Sequence, residues 1–160
     1  MVPTRIIWHH SADSYTGTQF SKINAYHKSR GFSISALGYF VGYHWVIEQN
    51  GDLEQARIES ELGQHDADEN FDSIGICLAG NFNNSYPTLA QEKAAADLVA
   101  ELVGRWSIPV SRFEPHRFGD STDCPGKLLP DNWLLLIYIK HRFGPVGQLI
   151  YWLVQKMRIA

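Results

Sequence analysis

The chain has 160 residues, of which 44% are hydrophobic, 19% charged and 12% aromatic. This composition fits one folded domain that buries roughly 70% of the surface its unfolded form exposes, and it excludes disorder, collagen-like repeats and low-complexity tracts. A formal net charge of −3 with no basic cluster in the first 130 residues excludes a general attraction for polyanions, so no nucleic-acid partner is expected.

The two cysteines, Cys77 and Cys124, are too few for a disulfide framework. The start, Met-Val-Pro-Thr-Arg, lacks the charged and apolar regions of a secretory signal, and residence in a cytoplasm is expected. Arg5-Ile6-Ile7-Trp8-His9 is β-branched and aromatic and predicts a buried strand ending at the polar run His10-Ser11-Ala12-Asp13-Ser14. Over residues 18–29, Phe20, Ile23, Tyr26 and His27 recur at helical spacing, with Gly31 as the stop. Residues 38–48 read as a strand closed by Asn50-Gly51, a strong hairpin signal, with residues 53–57 returning.

A polar loop over residues 59–72 leads into Ser73-Ile74-Gly75-Ile76-Cys77-Leu78-Ala79-Gly80, which has the length of a central strand and makes Cys77 a buried thiol. Residues 88–106 predict a helix: Thr88 caps it, and Leu89, Ala96, Val99, Leu102 and Val103 form its apolar stripe. An irregular stretch over 114–127 precedes two short helices, near 131–141 and 145–157, divided by Gly144-Pro145. The expected fold is α/β of the mixed α+β kind: a single domain with a central mixed β-sheet flanked by helices. A catalytic core over residues 1–130 would carry a C-terminal helical extension, 131–160, packed on it.

The extension has its own character. After Asp131 no acidic residue occurs, while Lys140, Arg142, Lys156 and Arg158 do. Leu149, Ile150, Leu153, Val154 and Met157 follow Val146 at helical spacing, which makes the last helix amphipathic. It is too short to span a bilayer. Packing on the domain is expected, with peripheral contact to an anionic membrane as the alternative.

Among seven histidines and two cysteines, position must select the functional ones. His116 and Cys124 are separated by seven residues in a loop rich in Gly, Ser and Asp, unlike the tight spacing of a zinc finger. Such a pair needs a third ligand from elsewhere, and the end of the first strand can supply one, His9 or His10. Three protein ligands leave a fourth zinc position for water, as hydrolytic chemistry requires. Competing chemistries have weaker support: a glycosidase needs two carboxylates across a cleft, but Glu48, Asp52 and Glu54 crowd one hairpin and are expected to be solvated. A serine hydrolase would need a Gly-x-Ser-x-Gly elbow, which is lacking.

Five blocks occur in an order that carries more information: Ile7-Trp8-His9-His10-Ser11-Ala12, Gly42-Tyr43-His44, Gly63-Gln64-His65, the run from Ser73 through Phe82, and His116-Arg117 with Ser121-Thr122-Asp123-Cys124-Pro125-Gly126. In these the chain resembles the zinc N-acetylmuramoyl-L-alanine amidases, the family of phage endolysins and animal peptidoglycan recognition proteins. The resemblance implies zinc ligands at His9, His116 and Cys124. Strand alternation agrees, because His9 and His10 point to opposite faces. It also implies catalytic roles for Tyr43 and for Thr122, at a position where some phage enzymes have lysine. Thr122 can donate a hydrogen bond but brings no cation.

The resemblance places His65 in the cleft. His65, His10 and Arg117 are assigned to substrate contact, although His10 could instead orient His9. His44 alternates away from Tyr43 and is expected to pack or support. The implied activity is zinc-dependent hydrolysis of the amide joining N-acetylmuramic acid to L-alanine in bacterial peptidoglycan, by a monomeric phage or prophage endolysin released from the host cytoplasm. The alternative is a recognition module that binds peptidoglycan without turnover.

Overall fold

Trp8 and His9 leave β1 (Arg5–His10) on opposite faces of the sheet, and the two faces carry different chemistry. In a computed structural model, which describes residues 1–14 and 16–157, five strands pair in the order β3-β2-β4-β1-β5. The others are β2 (Trp45–Ile47), β3 (Leu53–Gln55), β4 (Ser73–Leu78) and β5 (Phe113–Pro115). β1 runs parallel to β4 and β5, β2 runs parallel to β4, and β3 returns antiparallel to β2, so the sheet is mixed. The register sets His9 against Cys77.

Ile6, Trp8, Ile47, Ile74, Ile76 and Leu78 face one way, into a core completed by α2 (Leu89–Trp106) and α3 (Trp133–Arg142). Trp8 packs on Trp133 with ring centroids 5.2 Å apart. The other face is smaller: Val46 and Cys77 meet Phe20 and Ile23 of α1 (Phe20–Ser29), with Val41 and Ala56. This thinner face leaves room for polar side chains. Segregating a large apolar core from a smaller polar layer is what lets one sheet both fold and carry a site.

Two helix starts are anchored to strand ends. Thr88 accepts from the Gln91 amide while the Gln91 side chain accepts from the Thr88 amide, a reciprocal capping box. The same Gln91 side chain donates to the carbonyls of Ile47 and Ala79, tying α2 to the ends of β2 and β4. The start of α1 is capped from a distance: the Glu48 carboxylate accepts from the amides of Gln19 and Phe20. Glu48 is therefore buried, 4% exposed, and not the solvated hairpin carboxylate expected from sequence. A helix N-terminus stabilises negative charge, and two backbone amides hold it there, that of Gln19 shared between both carboxylate oxygens.

Strand bounds differ from expectation. The 38–48 strand shrinks to Trp45–Ile47 because residues 38–44 turn over α1, with His27 accepting from the Gly42 amide. The returning strand stops at Gln55 because the side chain of Arg57 is buried as a clamp and pulls the chain out of the sheet. β5 lies between prolines and is too short to give a strand signal, yet β1 recruits it as an edge. The last helix, α4 (Gly144–Met157), lies against α3.

Substituting Gln91 by Ala removes the side-chain half of the capping box and the donor to the Ala79 and Ile47 carbonyls, of which Ile47 still accepts from the Ala79 amide, at about 1–3 kcal/mol for such losses. Urea unfolding should show a fall of that size. Gln91→Glu should not recover it, because a carboxylate cannot donate to Ile47 and Ala79.

Candidate active site

His9, on the thin face of β1, stands beside three other rings: His116 at 4.4 Å, Tyr43 at 5.0 Å and His65 at 5.1 Å between centroids. Their hydrogen bonds have one consistent direction. The Ser73 hydroxyl donates to the Glu69 carbonyl at 2.5 Å, so its oxygen accepts from His65 Nε2 at 3.4 Å. His65 Nδ1 then accepts from His9 Nε2 at 3.1 Å. With its proton on Nε2, His9 presents a bare Nδ1 lone pair, which faces Cys124 Sγ at 3.8 Å.

His116 is oriented the same way from another side. Its Nε2 donates to Asp120 at 3.0 Å, and the buried Oδ2 of Asp66 lies 3.8 Å from that nitrogen. The His116 Nδ1 is buried without a hydrogen-bond partner. A buried lone pair with no donor is costly unless something electrophilic meets it. The ligand atoms of His9, His116 and Cys124 all lie within 4.8 Å of one another. Two imidazole nitrogens and a sulfur converging on one point fit a borderline-soft divalent cation such as zinc, with room for a fourth ligand.

Electrostatics favours neutral imidazoles here. Burial, then the neighbouring His65 and His116, push the His9 pKa well below its ordinary value. Burial likewise lowers His65. Burial pushes the Cys124 thiol up to about 12, against a backbone hydrogen bond from His10 that favours the thiolate. A divalent cation among these groups reverses that balance, since a coordinating thiol is deprotonated outright.

Tyr43 stands over this cluster. Burial, then Cys77 beneath it, raises the phenol well above its ordinary pKa, so it stays a proton donor throughout the neutral range. Cys77 is fully buried, and its thiol is likewise pushed well up by burial. The Thr122 oxygen accepts from the Cys124 amide at 3.1 Å, fixing the loop while leaving the hydroxyl proton for another acceptor.

The three residues assigned to substrate contact have other partners. His10 lies on the opposite face, 6% exposed, where Nδ1 accepts from the Phe82 amide and burial lowers its pKa to about 4. Both His65 nitrogens are engaged within the protein, so it positions His9. The Arg117 guanidinium donates to the carbonyls of Gly126 and Leu129 and pairs with Asp131, holding the ligand loop. His44 is a cross-link: Nδ1 accepts from the Gly75 amide and Nε2 donates to the Glu61 carbonyl.

Arg57 was not legible as part of the site. It is 1% exposed and donates to the carbonyls of Ser33, Val41 and Leu62 and to the side chains of Glu61 and Gln64, joining the Tyr43 segment to the His65 segment. A lone arginine after a hairpin carries no sequence signal of burial. The Ile-Gly-Ile block also gains a reason. A Cβ on Gly75 would lie 2.3 Å from the His65 ring, and one on Gly63 would lie 2.6 Å from it, so the imidazole is seated between two residues without side chains.

A cavity of about 260 Å³ lies between the segment after β1 and the start of α1, lined by Ser11, Asp13, Gln19, Lys22, Ile23 and Tyr26. Another cavity, about 430 Å³, is lined by residues including Trp133, Leu129 and Tyr151 and lies on the α2/α3 side, away from the histidines.

The family model described as N-acetylmuramoyl-L-alanine amidase matches residues 1–127. Peptidoglycan-recognition protein SC2 of Drosophila melanogaster is 34% identical over 121 residues, 74% of this chain and 65% of that protein. The endolysin of Escherichia phage T7 is 30% identical over 96 residues, 57% of this chain and 60% of that protein. The chain thus spans about two thirds or less of the length of these curated relatives. Among solved structures, N-acetylmuramoyl-L-alanine amidase LysC from Clostridium intestinale URNW superposes with a TM-score of 0.73 at 31% identity, covering 89% of this chain and 85% of that one. With four-fifths of its length matched and its histidines and cysteine converging on one point, this chain belongs to the N-acetylmuramoyl-L-alanine amidase family.

Proposed function

We propose that this protein is a zinc-dependent hydrolase of the endolysin type that cuts the amide between N-acetylmuramic acid and L-alanine in bacterial peptidoglycan. The observation that carries this reading is the directed hydrogen-bond relay that leaves the Nδ1 of His9 bare, together with the unpartnered Nδ1 of His116 and the thiol of Cys124 close by. A zinc ion bound there supplies Lewis acidity to the scissile carbonyl and to the attacking water.

The chain's own residues do the rest. His9, His116 and Cys124 hold the cation. His65 and Asp120 fix the two imidazoles in the tautomer that ligates through Nδ1. Tyr43 donates its proton to the oxygen on which negative charge develops, and its raised pKa keeps that proton in place. Thr122 offers a second, neutral donor at the loop edge. The cavity lined by Ser11, Lys22 and Tyr26, just past the end of β1, gives a stem peptide room. The Glu48 carboxylate is spent on the start of α1, which speaks against a two-carboxylate glycosidase mechanism.

Purified wall incubated with the protein should yield new L-alanine amino termini without new reducing ends, and chelator or Cys124→Ala should abolish them. New reducing ends would mean a glycosidase. Tight wall binding without product would make the chain a recognition module. Tyr43→Phe should lower kcat by roughly 10²–10³-fold, the scale for one lost oxyanion donor, with KM little changed.

Zinc affinity tests the relay directly. His65→Phe keeps an aromatic ring but cannot accept from His9, and Asp120→Ala leaves His116 without its nearest acceptor. Each should weaken zinc binding by roughly 10–100-fold in competition with a chromophoric chelator. Unchanged affinity in both would remove the orienting role.

A further inference from the structure

Helix α4 is already seated on the protein by one side. A Cβ on Gly147 would lie 2.1 Å from the Ile139 carbonyl oxygen, so the two helix backbones meet closely there. Tyr151 packs against the core with the Lys140 ammonium 4.8 Å from its ring centre. The opposite side of the same helix is also apolar. Val146, Leu149, Ile150, Trp152 and Leu153 are 39–64% exposed, and at 100° per residue they share one arc. Clustered apolar surface of this kind on a helix that has already made its packing contact marks an interaction surface.

Charge decides between occupants. Residues 132–160 contain four lysines and arginines and no acid, in a chain whose net charge is −3. Lys140 is already answered by Glu92 at 2.8 Å. Arg142 stands at the end of α3, and Lys156 lies within the exposed arc with its ammonium 5.2 Å from the Trp152 ring centre. A second copy docking through this face would set the cations of one segment across from a segment that is equally cationic, with no acid in either to meet them. An anionic surface satisfies both the apolar arc and the cations.

The geometry points to α4 as a peripheral anchor that lies on an anionic lipid bilayer, with Leu149, Ile150 and Leu153 in the acyl boundary and Arg142 and Lys156 at the headgroups. At 14 residues α4 is about 21 Å long, shorter than a bilayer's hydrocarbon core of about 30 Å, so it lies along the surface. Among the described residues no helix is long and apolar enough to cross a membrane. An exposed tryptophan is the side chain most at home in that boundary, and the lysine stem can lie on it while the ammonium reaches the phosphates. This inference concerns a surface away from the histidine cluster and does not depend on the proposed hydrolysis.

Co-sedimentation of the full chain with vesicles of phosphatidylglycerol and phosphatidylethanolamine, against vesicles of phosphatidylcholine alone, tests it. Binding to the anionic vesicles, with a blue shift of tryptophan emission and loss at high salt, is expected. Lys156→Gln should weaken binding roughly fivefold, the effect of one lost cation, and Leu149→Glu with Leu153→Glu should abolish it while thermal unfolding stays unchanged. Equal binding to both vesicle types, no binding, or binding indifferent to the substitutions would overturn the inference. So would a dimer in sedimentation velocity that the two glutamates dissolve, since it would assign the face to a second copy.

Discussion

The direction of one hydrogen bond, from His9 Nε2 to His65 Nδ1, governs the rest of the site. If it ran the other way, the His9 proton would sit on Nδ1 and face Cys124 Sγ. The direction is fixed two steps away, at Ser73, whose hydroxyl is committed to the Glu69 carbonyl. Ser73 opens β4 opposite Arg5 while His9 stands opposite Cys77, so it is the His65 ring that joins the two ends of the relay across the parallel pair. The space for the relay comes from Gly63 and Gly75, whose missing side chains the His65 ring replaces.

Much of this was written in local pattern. Alternation along β1 put His9 and His10 on opposite faces without choosing between them, the Asn50-Gly51 turn placed the hairpin, and Thr88 with the stripe behind it placed α2, because each is a short-range signal of backbone geometry. Roles that depend on distant partners were not legible. Glu48 looked like a solvated carboxylate and is a helix cap, since its partners at Gln19 and Phe20 lie far off in sequence. Arg57 looked like a strand end and is a buried clamp. Arg117 was assigned to substrate contact, and one of its guanidinium nitrogens donates to two carbonyls of its own loop. A polar side chain announces its chemistry in sequence but not its partner.

Burial has opposite effects on the donors and on the phenol. It keeps His9 and His65 neutral, as ligation and relay both need, and it keeps Tyr43 protonated, as an oxyanion donor must be. The same burial disfavours the Cys124 thiolate, against which the His10 amide and the nearby Arg117 guanidinium favour it. With Thr122 in place of a lysine, the cluster has no side-chain cation of its own at that position. Under the proposed zinc chemistry, stabilisation of developing charge would come from the metal and from neutral donors, whose strength rests on exclusion of water.

The same loop that carries Cys124 joins the site to the C-terminal helices. Arg117 holds the Gly126 and Leu129 carbonyls and reaches Asp131, just before α3, whose Trp133, Leu134, Leu136 and Ile137 are buried in the main core. A chain cut at residue 130 would strip that core of four apolar side chains, at about 1.5–3 kcal/mol for burying each, and would remove the Asp131 partner of Arg117. The family match ends at residue 127, but the packing continues through α3. Only α4, which touches the core through Tyr151 and turns its second apolar face outward, stands outside that mutual support. It can therefore meet an external surface without disturbing the relay.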